Sequence, residues 1–73
     1  MHELKYKPST RRWHAYRKGS YACPLHSGDL LALEVADRYL SCRMVYDTDW
    51  YVLIGETKFR LHRKAVYRVI LLF

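Results

Sequence analysis

Residues that break regular structure recur along this chain roughly every 8–12 positions, and between them no segment holds a helical period. The breaks fall at Arg17-Lys18-Gly19-Ser20, His26-Ser27-Gly28-Asp29, Ala36-Asp37-Arg38, Asp47-Thr48-Asp49 and Gly55-Glu56-Thr57. A chain divided this finely has no room for an amphipathic helix of three turns, so short strands are what remain. Trp13 to Arg17, Tyr21 to Leu25, Leu30 to Val35, Tyr39 to Tyr46, Trp50 to Ile54, Phe59 to Leu61 and Tyr67 to Leu72 carry the strand character. Pro24 marks an edge or a strand end, because it has no N–H to give to a ladder. Tyr39 to Tyr46 alternates: Leu40, Cys42, Met44 and Tyr46 take one face, Tyr39, Ser41 and Arg43 the other. The same alternation turns Phe59 inward between Lys58 and Arg60. His62-Arg63-Lys64-Ala65 reads as one helical turn before the last strand. An all-β domain in which five or six of these seven segments close into a small barrel, removing its edges, is the expected fold.

Seventy-three residues permit one domain, and one that buries only about 60% of its unfolded surface. Its core has to be built efficiently, and two Trp, two Phe and seven Tyr supply large rings for that. Trp13 and Trp50 are expected inside for this reason. Residues 1–12 show little periodicity, carry Pro8-Ser9-Thr10 and are rich in charge, so they read as a flexible basic N-terminal arm before a barrel spanning residues 13–73. No secretory signal is visible in the opening residues, and the longest apolar run, Val69-Ile70-Leu71-Leu72-Phe73, is far below the ~20 residues of a membrane span. A cytoplasmic protein with reduced Cys23 and Cys42 and no membrane partner is expected.

Charge divides the chain into three parts. Lys5, Lys7, Arg11, Arg12, Arg17 and Lys18 face only Glu3 in the first twenty residues; Lys58, Arg60, Arg63, Lys64 and Arg68 face no acid in the last sixteen. The middle is acidic, with Asp29, Glu34, Asp37, Asp47, Asp49 and Glu56 against Arg38 and Arg43, and the whole carries +6. Basic ends steer a molecule toward a polyanion or an acidic protein surface.

The succession Leu25-His26-Ser27-Gly28-Asp29, Arg43, Asp49-Trp50-Tyr51-Val52-Leu53-Ile54-Gly55 and Arg68-Val69 resembles a small domain-of-unknown-function family of Gram-positive bacteria and their mobile elements. The resemblance spans about residues 13–70. It implies an SH3-like barrel and a mobile-element setting, and no activity.

Catalytic and metal chemistry find little support. Cys23 and His26 have the two-residue gap of zinc ligands, but Cys42 and His62, needed to complete a tetrahedron, stand twenty residues apart. Cys42 instead falls on the inward face of its strand. Either cysteine could pair with His14, His26 or His62, but nothing in the sequence supplies an oxyanion hole, and a barrel this short is expected to have little room for a substrate pocket of several hundred Å3. Asp47 and Asp49 read as turn formers, and Gly28 and Gly55 stand alone and cradle no phosphate. No enzyme, no cofactor and no metal is expected.

The expected function is therefore binding. Tyr39, Arg43, Lys58, Arg60, Arg63, Lys64 and Arg68, joined by Arg11, Arg12, Arg17 and Lys18, form the candidate surface. Basic groups interleaved with exposed rings hold nucleic-acid strands, DNA or RNA, by charge on phosphates and stacking on bases. A nucleic-acid-binding accessory protein is the first expectation. The second is a protein–protein module that fits an acidic partner, such as a phage or mobile-element product that binds and inhibits a host nucleic-acid-binding protein.

Overall fold

The computed structural model describes residues 1–73 and contains strands and turns only. Eight strands follow in chain order: β1 (His2–Lys7), β2 (Arg12–Arg17), β3 (Ser20–Pro24), β4 (Leu30–Val35), β5 (Arg38–Asp47), β6 (Asp49–Ile54), β7 (Thr57–Phe59) and β8 (Tyr67–Leu71). They form one antiparallel sheet in the order β3-β2-β1-β8-β4-β5-β6-β7.

Short turns explain why neighbours in sequence are mostly neighbours in the sheet. Lys18 and Gly19 both have positive φ between Arg17 and Ser20, as do Ala36 and Asp37 between Val35 and Arg38. Two such residues make the turn whose twist matches that of the flanking strands. A single residue, Thr48 at φ 66°, separates the paired Asp47 and Asp49. The non-local step is β8, which lies between β1 and β4 and pairs His2 with Val69 and Leu33 with Val69 from its two sides.

The first twelve residues correct the expectation of a loose arm. His2–Lys7 is an interior strand of the sheet, and Leu4 is wholly buried. Leu4 and Tyr6 face the core while Glu3, Lys5 and Lys7 face out, so the charges that suggested an arm occupy the solvent side of a strand.

The expected count of five or six strands becomes eight, and the barrel does not close. β3 and β7 remain edges. β7 is three residues long, and β3 ends in Pro24, which cannot extend a ladder. The curl is held instead by the Trp50 indole N–H, which donates to the Arg11 carbonyl at 2.8 Å and ties β6 to the β1–β2 turn. Segment 27–29 lies along β5: the Gly28 N–H donates to the Met44 carbonyl at 2.7 Å and the Tyr46 N–H to Ser27 Oγ at 3.0 Å.

The concave side holds the core: Leu4, Trp13, Ala15, Leu25, Leu31, Leu33, Cys42, Met44, Trp50, Val52 and Val69. Trp13 and Trp50 are buried as their size demands. Trp13 meets Tyr6 and Tyr67 edge-on at centroid distances of 5.4 and 6.0 Å. Each fully buried Leu or Val contributes about 1.5–3 kcal/mol. Two inward assignments fail. Phe59, at the sheet edge, is 49% exposed, and Tyr46, near the end of β5, is 52% exposed. Residues 62–65 make a turn closed by the Ala65 N–H on the His62 carbonyl, not a helix.

Candidate functional site

Where the β5–β6 turn approaches the β1–β2 turn and the β7–β8 connection, a groove of about 810 Å3 opens. Its walls are Tyr6, Pro8, Arg11, Tyr46, Thr48, Asp49, Trp50, Arg60, Arg63 and Lys64. Four cations thus face one carboxylate. A smaller concavity of about 360 Å3 adjoins it, sharing Arg11, Tyr46 and Trp50 and adding Arg12 and His26.

Hydrogen bonds and ring contacts build the groove. Trp50 is buried and fixed by the Arg11 carbonyl, and the Arg12 guanidinium carbon sits 5.7 Å from its ring centroid. Tyr46 packs on Trp50 at 4.9 Å with over half of its surface open to solvent. Tyr46 is therefore the ring a ligand can stack on, and Trp50 is its support. On the opposite wall the Arg63 guanidinium carbon lies 4.7 Å over the Tyr6 ring. The connection carrying Arg60, Arg63 and Lys64 is ordered by the His62 N–H, which donates to Tyr67 Oη at 2.7 Å, and by the Lys64 N–H on His62 Nδ1 at 3.2 Å.

Asp49 sits at the junction. Its Oδ1 accepts from the Trp50 N–H at 2.8 Å and from Arg63 Nη2 at 2.7 Å, and its Oδ2 from Arg60 Nη1 at 3.4 Å. The backbone hydrogen bond first, then the Arg63 bond, hold its carboxyl below the usual carboxylate range. Asp49 is more than the turn former its position suggested.

Of the expected surface, Arg11, Arg12, Arg60, Arg63 and Lys64 converge here, from opposite ends of the chain. The others do not join them. Arg17 and Lys18 stand at the β2–β3 turn. Lys58 lies 5.0 Å over the Tyr51 ring on the convex face. Arg68 sits opposite Glu3 and 3.6 Å from Glu34, so that charge is locally compensated. Tyr39 donates its hydroxyl to the Met1 sulfur at 3.3 Å. Arg43 borders a separate convex-face depression of about 410 Å3 with Leu30, Leu53 and Leu72. Sequence reasoning missed Tyr6, Tyr46 and Asp49. Tyr6 falls in the segment whose charge reads as an arm, alternation alone turns Tyr46 inward, and nothing local shows that Asp49 reaches arginines eleven and fourteen residues away.

The weighed metal ligands do not gather: no three His, Cys, Asp or Glu side chains stand together as an ion would require. Cys42 is buried, and burial pushes its thiol up to about 11; burial likewise raises Cys23. A thiol held protonated is a poor nucleophile at neutral pH. His14, considered as a base, is fixed between Thr10 Oγ1 at 2.8 Å and Tyr21 Oη at 3.1 Å.

No curated protein and no solved structure matches the chain. The sequence model of the family described as domain of unknown function DUF5348 matches residues 2–71, β1 included, and the chain belongs to that family.

Proposed function

We propose that this domain is a non-enzymatic module that binds single-stranded nucleic acid along the groove. The observation that carries the reading is the exposed Tyr46 ring, braced on Trp50, standing among Arg11, Arg12, Arg60, Arg63 and Lys64. Phosphates are drawn by the cations, and a base stacks on the tyrosine, which tolerates any base because every base has a π-face.

The test is the anisotropy of labelled single-stranded DNA and RNA titrated at several salt concentrations. Each neutralised phosphate steepens the log–log slope by about 0.7. Replacing Arg11, Arg60 and Lys64 with Gln should flatten it by about 2, and Tyr46→Ala should cost about 1–3 kcal/mol. Arg17→Gln with Lys18→Gln, at the far turn, should change it least. No binding by the unaltered protein at low salt would overturn the reading.

A protein partner is the second reading, favoured by the exposed Leu30, Ile70 and Leu72 on the convex face. It includes a mobile-element product that occupies a host protein's nucleic-acid site. One partner that survives nuclease treatment, with no affinity for oligonucleotides, would favour it.

A further inference from the structure

We propose that Asp49 is a built-in competitor in the groove: its carboxylate fills an anion subsite formed by Arg60, Arg63 and the Trp50 N–H, and a backbone phosphate of the ligand takes its place on binding. The inference rests on the nucleic-acid reading for the identity of its ligand, but not for the anion chemistry of the subsite.

Three donors from two separate parts of the chain converge on one carboxylate. The Trp50 N–H and Arg63 Nη2 reach Oδ1 at 2.8 and 2.7 Å, and Arg60 Nη1 reaches Oδ2 at 3.4 Å. Planar guanidinium groups and a backbone N–H are the donors that recognise phosphate oxygens as readily as carboxylate oxygens. The arrangement is open to exchange. Arg60 and Arg63 keep 76% and 53% of their side-chain surface exposed, so an incoming anion can reach them without unfolding anything. The Arg60 contact is long, and an exposed ion pair of this kind holds weakly. Arg63 keeps a second support on the Tyr6 ring and does not need the carboxylate to stay on the wall. The subsite also has a neighbour suited to the rest of a nucleotide, since Tyr46 and Thr48 line the same groove.

In the free protein Asp49 lowers the positive charge that the groove presents and occupies two of its cations. A ligand must displace it, so weak or isolated anions are rejected while a polyanion, which binds through several phosphates at once, is not.

Asp49→Asn keeps the shape and an acceptor oxygen for the Trp50 N–H while removing the charge. Two titrations test it, with circular dichroism and the melting temperature confirming an intact fold. The first adds inorganic pyrophosphate and follows the rise in melting temperature; the second repeats the oligonucleotide anisotropy against salt. The phosphate that displaces Asp49 meets the same arginines in both proteins, so Asp49→Asn should leave the slope within about 0.7 of the original and, by relieving two exposed ion pairs, tighten binding roughly two- to tenfold. Arg60→Gln with Arg63→Gln in the Asp49→Asn background should abolish both improvements.

Tighter binding of both ligands supports the subsite and the nucleic-acid reading together. Tighter binding of pyrophosphate, with no oligonucleotide binding by either protein, keeps the subsite and removes the reading. Oligonucleotide binding by the unaltered protein that Asp49→Asn leaves unchanged or weakens makes Asp49 a positioning residue for Arg63 and overturns the inference alone. No response to either ligand overturns both.

Discussion

At the scale of single residues, three buried or turn-bound groups carry testable consequences. His14 is 6% exposed, and burial first, then Lys7 and Arg12, lower its pKa from 6.5. As pH falls below about 6.5 the unfolded chain binds more protons than the folded one, so stability is lost in that direction. His2, lowered chiefly by burial and the nearby N-terminus, acts with the same sign. The urea midpoint should fall between about pH 7.5 and 5.5, and less so in His14→Gln; an unchanged fall would remove His14 as its source. For Cys42, raised to about 11, the sign reverses: the folded state keeps a proton that the unfolded chain releases, so stability declines as pH rises above about 9. Iodoacetamide should leave Cys42 unmodified in the folded protein and label it on unfolding. Thr48 holds φ 66°, a left-handed conformation that a β-branched residue adopts at a cost of roughly 1–2 kcal/mol. Thr48→Asn should raise the melting temperature without disturbing Asp49, and a lowered one would show that the hydroxyl or methyl contributes more than the strain removes.

At the scale of elements, most strands are legible in the sequence because alternation and turn chemistry are local. Residues 30–35 form a strand with the boundaries the sequence suggests, and the strands expected at 13–17, 39–46 and 50–54 are one or two residues longer in the structure. β1 escapes the sequence reading although its pattern is present: His2, Leu4 and Tyr6 alternate with Glu3, Lys5 and Lys7. Its charges read as the mark of an arm because no neighbour in sequence announces that β8 will cover its far side. The physical consequence is sharp. Leu4→Ala should cost about 2–5 kcal/mol, a large part of the roughly 4–11 kcal/mol expected for a domain this size. A denaturant midpoint unchanged by Leu4→Ala would mean that β1 contributes little to the folded state. Turn chemistry offers the opposite test. Ala36 at φ 50° has a conformation that glycine adopts freely, so Ala36→Gly should stabilise by up to about 1 kcal/mol after the added chain entropy is subtracted.

For the molecule as a whole, the pairing of residues 2–4 with 67–69 makes the fold depend on contacts between its two ends. Such non-local pairing should place folding in the millisecond-to-second range, and deleting residues 1–7 should abolish cooperative unfolding by circular dichroism. A truncated chain that still melts sharply would show that β2 to β8 fold without β1. The strand-only character, the buried tryptophans, the turns and the excess of positive charge are legible in the residues alone, because each follows from side-chain period, ring size, backbone freedom or simple counting. That the sheet stays open is a matter of tertiary structure, because closure depends on two distant edges meeting, and a three-residue β7 and a β3 that ends in Pro24 offer each other little ladder. Tertiary structure also decided which charges act together. Arg11 and Arg12 meet Arg60, Arg63 and Lys64 only because the sheet curls, and Asp49 acquires its arginine partners by the same curl, which no local pattern encodes.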